Sequence, residues 1–512
     1  MTDESSAVTP PGARARLVAA LERLLESRPT LVQAAGIGLA LLGYALPLLF
    51  PVAALGLSVH LVGVLAVGGF TALAEDWIAL GLLAVSAILT VSLWRLRVGE
   101  PGGEPVTDQQ VPALFELVDT LRDAFQTPTI HDIHLTDRAD LIVQRVPRNG
   151  YPVLVRQVLL VGLPALQCLN PEQFKCLLAA CLGEMSAVRA DVAGWLGQLA
   201  RTWLQLQSAV AGRWQPAALL YRGFLPVYVP LLTALARRLD SGHRLRRDHY
   251  ALEVASDDLV VEMFAGEIIM QRFLAELYWP TVYRAAEHSA TPNFKVFRNL
   301  EPVFHKRASD DLVQSWLREA YVGKWRSDER DPGLRARLHE IGHGELRYRQ
   351  SAGISAAQLL LGASHQWILD RCDARWAEEH GEEWRARHEK SQRQYERLSL
   401  LRDVLQRHGL HGDEAMAYAA LVKRYGTAGE ALEAYRAILE LNPDDAQINF
   451  GVGKFLLSCR DPQGVEVLEH AMALDKRYVD PACRLISDFT TEQRTQASRK
   501  ASAHRPAADG GA

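Results

Sequence analysis

Only six of the 512 residues are cysteine, and none of the six (Cys168, Cys176, Cys181, Cys372, Cys459, Cys483) stands in CxxC or CxxxH spacing. That pattern implies neither a disulfide framework nor a thiolate zinc site, and it fits a reducing compartment. The chain also lacks a dominant charge. Its 56 Lys and Arg against 60 Asp and Glu leave a formal net charge of -4, which offers no basic surface to a nucleic acid. With 48% hydrophobic and 23% charged residues, the composition suits two or three ordinary domains and excludes a disordered chain.

Charge is missing locally as well. Between Arg28 and Glu75 no side chain is charged apart from a protonatable His60, over a length of about two bilayer spans at ~20 residues each. A second apolar run, Trp77 to Trp94, adds about one more span. Pro47, Pro51 and several glycines interrupt the first run, which reads as one long tilted helix or as a helix plus a re-entrant segment. Arg14, Arg16, Arg23 and Arg28 precede it, Arg95 and Arg97 follow the second run, and Glu75-Asp76 lies between. By the positive-inside rule both basic ends face the cytoplasm, which requires an even number of crossings; two spans are expected, with three as the alternative. The apolar region is too long and starts too late for a cleaved signal peptide. The layout expected is a cytoplasmic segment 1–29 and a transmembrane hairpin 30–97, in a multi-pass protein of the inner or cytoplasmic membrane whose main domain is cytoplasmic.

A Gly/Pro-rich linker, 99–105, leads to an amphipathic helix from Val111 to Phe125 with Leu114, Leu117, Val118 and Leu121 on one face. Short β-type runs follow at His131–Leu135, Leu141–Val146 and Val153–Val161, with a hairpin turn at Asn149-Gly150. Asn170-Pro171-Glu172-Gln173 then opens a long apolar helix, with Asn as N-cap, Pro at the first position and Gln three residues after the cap. The fold class is therefore mainly α, with an α+β domain carrying a small sheet.

Residues His339-Glu340-Ile341-Gly342-His343 spell HEIGH, a literal HExxH. On a helix, His at i and i+4 share a face and can hold Zn²⁺ while Glu340 serves as general base. The surroundings are wet: Arg335 and Arg337 precede the motif, Glu345, Arg347, Arg349 and Gln350 follow it, and Gly342 and Gly344 signal a helix end. The apolar stripe Leu334, Leu338 and Ile341 leaves both histidines off it. A short amphipathic helix, capped by Asp331 and opened by Pro332, accounts for the segment without metal. The competing assignment uses His339, His343 and Glu340 with a third ligand such as His365.

The stretch FKCLLAACLGEMS, with Trp195 downstream, resembles the buried catalytic helix of HtpX-type membrane zinc metallopeptidases. LTDRADLIVQRVPRNGY with VLLVGLPALQCLNPEQF is similar to that family's lead-in, RRDHYALEVAS to the segment with its third ligand, and DERDPGLRARLHEIG to its DxHPxLxxRLxxLG element. LYWPTVYRAAEHSATPNF resembles an element of a bacterial branch with C-terminal repeats. The resemblance spans roughly residues 30 to 475 and implies a gluzincin-like domain over 106–350. Carried over residue by residue, it puts the first His at Ala180, the base at Cys181, the second His at Glu184, and the third ligand at Arg244 with its companion Asp at Asp248. A shift of one residue would use Cys181 and Met185, and Glu253 would become the third ligand if Asp257 matched the Asp. No register yields an intact HExxH on this helix. Arg244 has donors only and a permanent charge, so it cannot ligate zinc. The resemblance thus implies a degenerate member without metal, catalytic residues or cofactor, in which Glu184 and Arg244 form a charge pair where the zinc would lie. Cys181, on an apolar helix, reads as an inert core residue. The basic run Arg237, Arg238, Arg244, Arg246, Arg247 reads as a solvated helix face or a contact for anionic lipid headgroups.

Residues 355–408 read as long charged helices with Trp367, Ile368, Leu369 and Trp376 as apolar contribution. Over 409–490, GEALEAYRAILELNPDDA and QGVEVLEHAMALDKRY recur at about one repeat and resemble tetratricopeptide repeats, with Gly and Ala at close helix approaches. Such repeats imply a protein or peptide partner, or packing on the preceding helices. From 491 to 512 the chain is polar and rich in small residues, and disorder is expected. The functional expectation is an inactive, membrane-anchored metallopeptidase homologue acting in protein interaction or membrane protein quality control. The alternative is an active zinc endopeptidase of membrane or misfolded proteins using HEIGH.

Overall fold

The computed structural model describes residues 29–190, 192–239, 243–323, 325, 332–343 and 353–503. These form two compact units, one of residues 29–285 and 292–381, the other of 286–291 and 382–503.

The first unit begins with α1 (Pro29–Glu75) and α2 (Trp77–Arg95). Pro47 and Pro51 sit inside α1 without ending it, so the long uncharged run is one continuous helix as far as Gly69, whose φ of 67° breaks the helical path. Asp76 caps α2 by accepting from the Ala79 amide, and its other oxygen lies 2.8 Å from His60 Nε2. Most α1 side chains from Leu48 to Phe70 are exposed and apolar, as are Trp77, Ile78, Leu82 and Trp94 on α2.

A short strand β1 (Glu104–Val106) and α3 (Pro112–Phe125) lead to β2 (Asp132–Thr136), β3 (Leu141–Pro147) and β4 (Val155–Gly162). The sheet order is β1-β2-β4-β3, with β2 and β4 parallel and both other pairs antiparallel. The β3–β4 connection is longer than a two-residue hairpin. Asn149 Oδ1 accepts from the Tyr151 amide, and the Gly150 amide donates to Leu93 O at 2.8 Å, which ties the loop to α2.

Then come α4 (Leu163–Cys168), α5 (Pro171–Ala190), α6 (Val192–Val210), α7 (Pro216–Leu239), α8 (His243–Leu252) and α9 (Asp257–Arg272). A π-helical turn, Phe273–Tyr278, joins α9 to α10 (Trp279–Arg284); α11 (Val296–Arg307), α12 (Asp310–Tyr321), α13 (Leu334–Glu340), α14 (Ala356–Leu361) and α15 (His365–Glu379) complete the unit. The start of α5 follows its sequence signals: Asn170 Oδ1 accepts from the Gln173 amide and Gln173 Oε1 from the Asn170 amide. One core joins α1, α2, α6 and α7 through Ala40, Leu93, Leu196, Trp203, Tyr221, Tyr228 and Leu232. Trp203 is fully buried there and Trp195 packs at its edge, so both are core side chains.

Three helices among the described residues are long and apolar enough to cross a membrane: Val32–Ala72 in α1, Trp77–Arg95 in α2 and Pro216–Arg237 in α7. The third lies outside the apolar region 30–97 singled out in the sequence. Arg222, Pro226 and Pro230 break its apolar run and hide it. The protein is therefore read as membrane-associated.

The second unit consists of α16 (Gly381–His408), α17 (Gly412–Tyr425), α18 (Ala428–Leu441), α19 (Ala446–Ser458), α20 (Gln463–Leu474) and α21 (Val479–Ala503), with 286–291 packed against it. The boundary falls at 381/382, inside the expected 355–408 connector. Thr427 and Glu430 form a reciprocal capping box on α18. Gly453 and Gly464 face each other, each close to the other's carbonyl, and let α19 and α20 approach closely. Helix α21 runs on to Ala503, into the stretch from residue 491 that its polarity marks as a tail. Gln, Arg, Ala and Lys in that stretch are good helix formers, and their polarity had suggested a tail.

Candidate functional site

Helix α5, which carries FKCLLAACLGEMS, packs on α3, α6, α8, α9, α14 and β3. Its contact with α8 depends on Gly183, where a Cβ would overlap the Tyr250 ring. Ala180, Cys181 and Met185 are buried in this core. Cys181 Sγ donates to Leu141 O at 3.3 Å, and burial pushes its thiol up to about 12, with Arg247 opposing and Glu184 adding to the shift. A thiol so protonated is neither nucleophile nor ready ligand.

Glu184 lies one turn on, half-buried, with Oε1 3.6 Å from Arg201 Nη2. The Arg244 side chain lies outside the described residues, so its expected pairing with Glu184 is not on view. Arg247, on the same helix α8, is a second described arginine coupled to Glu184. Burial opposes the charge of Arg247, yet Cys181, Glu184, Glu267 and Asp248 raise its pKa above the ordinary value. Arg247 thus faces the cluster and does not belong to a solvated basic face.

Beside it lies a buried triad. Asp248 on α8 and Glu267 on α9 both bind Arg337 on α13: Arg337 Nε donates to Asp248 Oδ2 at 2.7 Å, Nη2 to Oδ1 at 2.8 Å, and Nη1 to Glu267 Oε2 at 3.0 Å. The guanidinium also sits 3.9 Å over the Phe264 ring. Burial opposes its charge, but the two carboxylates outweigh burial and hold its pKa above the usual range. Both Asp248 oxygens are engaged by one planar fork, so the cluster is a charge-assisted cross-link between three helices. Glu267 and Arg337 were not singled out as site residues. The only sequence signal for Arg337 was its place as the Arg in the DERDPGLRARLHEIG resemblance.

HEIGH behaves differently. Helix α13 starts at Leu334 with Gly333 as N-cap at φ 82°, so Pro332 precedes the helix and does not open it; Asp331 lies outside the described residues. The helix ends inside the motif. The His343 amide donates to Leu338 O at 2.9 Å and the Gly342 amide to His339 O at 3.1 Å, with Gly342 at φ 77°, which is a Schellman termination. His343 is therefore past the helix end, and the shared i, i+4 face that zinc needs does not form. Leu334, Leu338 and Ile341 are buried, whereas His339 and Glu340 are exposed. Glu340 lies 3.5 Å from His249, and His343 lies 4.0 Å from Asp257. His365, at the start of α15, is half-buried; burial lowers its pKa against the pull of Glu301 on α11. Glu253 and Asp257, the alternative family positions, are exposed.

Among the described residues no three His, Cys, Asp or Glu side chains converge as a metal site. Two shallow clefts open elsewhere among the described residues, one between Glu104, Asp137, Arg375 and Trp376, the other between Asn170, Phe304, His305 and Ile354. Neither is lined by Ala180, Cys181, Glu184, Asp248 or Arg337, but a third cleft, between Glu267, Gln271, Trp325, Leu334 and Arg337, opens beside the charge cluster. No protein family, curated protein or solved structure matches the chain.

Proposed function

We propose that the chain is a membrane-anchored, catalytically inactive relative of HtpX-type metallopeptidases that serves protein interaction or membrane protein quality control, with its main domain in the cytoplasm. One observation carries this reading: the helix that resembles the family's catalytic helix buries Ala180 and Cys181 in a packed core where ligand and base would stand. A charge cluster of Glu184, Arg247, Asp248, Glu267 and Arg337 occupies the neighbouring space. Cross-linking by guanidinium and carboxylate supplies the cohesion that zinc would supply in an active member. The helical hairpins of the C-terminal unit resemble tetratricopeptide repeats and are the proposed surface for a peptide or protein partner.

The zinc content of detergent-purified protein tests this reading, with wild type beside His339→Ala after mild chelation and re-addition of stoichiometric zinc. Neither protein is expected to retain zinc. Near-stoichiometric zinc that disappears with His339 would overturn the proposal and make HEIGH a working protease site.

A further inference from the structure

From residue 192 to 239 the chain holds five arginines and no Asp, Glu or Lys. Two of the five, Arg213 and Arg222, gather with Trp214 where α7 begins. Arg213 Nη1 donates to Arg97 O at 2.7 Å and the Ala217 amide donates to Ser92 Oγ at 3.0 Å, so this turn is fastened to the end of α2. The Arg222 guanidinium lies 5.5 Å over the Trp214 ring. Trp214 is 81% exposed, and Trp94, at the matching end of α2, is 64% exposed. Arg95 and Arg97 follow it. Exposed tryptophans beside arginines at the end of an apolar helix form the pattern that settles at a membrane–water boundary.

Apart from the exposed Arg222, α7 has two unlike faces, both apolar. Ala217, Ala218, Tyr221, Leu225, Tyr228 and Leu232 enter the core. Leu219, Gly223, Val227 and Pro230 point outward and are exposed, with no further charge before Arg237. An apolar outward side flanked by arginines, on a helix packed against α1 and α2 with their own exposed apolar side chains, is complementary to lipid tails on one side and to anionic headgroups on the other.

We propose that the outer face of α7 lies on the bilayer and that Arg213 and Arg222 bind the phosphate of anionic phospholipids at its surface. The inference rests on the membrane association of α1 and α2 and goes beyond it by assigning a lipid class and its ligands.

The test extracts the full-length protein into polymer-bounded discs from phosphatidylcholine vesicles containing roughly one-fifth phosphatidylglycerol, and measures the lipid retained. Wild type should raise the ratio of phosphatidylglycerol to phosphatidylcholine roughly fivefold over the bulk ratio. Arg213→Gln/Arg222→Gln should fall to the bulk ratio, and Arg213→Lys/Arg222→Lys should keep the enrichment. Equal ratios in wild type and the Gln variant, with phospholipid still retained, overturn the lipid-binding assignment alone. If the Gln variant does not fold, wild type decides, since enrichment that survives ~1 M salt is not headgroup electrostatics and also overturns the proposal. Displacement of phosphatidylglycerol by an equal concentration of inorganic phosphate reassigns the site to free phosphate. Protein recovered with no phospholipid at all refutes the membrane reading itself.

Discussion

Arg337 and Asp248, 89 residues apart in sequence, meet as a two-pronged pair with both contacts under 3 Å, and the same guanidinium holds Glu267. Removing the cation would strand two buried carboxylates. Arg337→Met is therefore expected to cost roughly 3–5 kcal/mol, a large part of the ~5–15 kcal/mol that holds a typical protein folded. The combined Arg337→Met/Asp248→Leu/Glu267→Leu protein strands neither carboxylate and leaves Glu184 as the counter-charge of Arg247, so it should recover part of that loss. Urea unfolding of the first unit checks both, and a single variant as stable as wild type would show that the cluster is not a cross-link.

Cys181 provides a chemical check on the same region. With its thiol pushed up to about 12, only about one molecule in ten thousand is a thiolate at pH 8. Native protein treated with iodoacetamide should carry label on the exposed Cys459 and Cys483 and essentially none on Cys181, which should react after denaturation. Labelling of native Cys181 at the rate of Cys459, read by peptide mass spectrometry, would mean that α5 opens onto a solvent-filled cleft.

The parts of this architecture legible in the sequence are those with local causes. The uncharged run after Arg28, the strands at residues 132–162, the Asn170 capping box and the glycine ending α13 are all set by residues within a few positions of one another. The parts that were not legible depend on distant partners. Nothing near Glu267 in sequence announces Arg337 seventy residues later, and residues 216–237 carry enough proline and arginine to mask an apolar helix. Glu184 was expected to face Arg244, whose side chain lies outside the described residues; that Arg247, three residues further along α8, also brings its charge to Glu184 depends on packing that sequence spacing does not show.

Asp373 makes a pH prediction. Burial raises its carboxyl above the usual carboxylate value, although the Phe297 amide donates to it at 2.7 Å and opposes the shift. A raised acid binds its proton more readily folded than unfolded, so folding takes up a proton in the window from about 3.8 upward. Stability from this group therefore falls as pH rises through that window. Asp373→Asn keeps an acceptor for the Phe297 amide and removes the charge. It should be at least as stable as wild type at pH 7, with wild type gaining on it as pH drops toward 4. Thermal melts at both pH values check this, and a wild-type advantage that grows with rising pH would reverse the assignment.

Gly464 tests the C-terminal unit separately. A Cβ there would lie 2.8 Å from Gly453 O and 2.8 Å from the Leu457 amide nitrogen, both backbone atoms of α19 that cannot swing aside. Gly464→Ala must push α20 away from α19, and overpacking of this kind costs roughly 1–3 kcal/mol, more than the helix propensity that alanine adds. Because residues 382–503 form their own compact unit, the loss should appear as earlier unfolding of that unit while the first keeps its midpoint. Hydrogen exchange followed segment by segment separates the two: amides of α19 and α20 should exchange faster, and those of α5 and α9 should not change. Uniform acceleration across both units would show that they unfold as one.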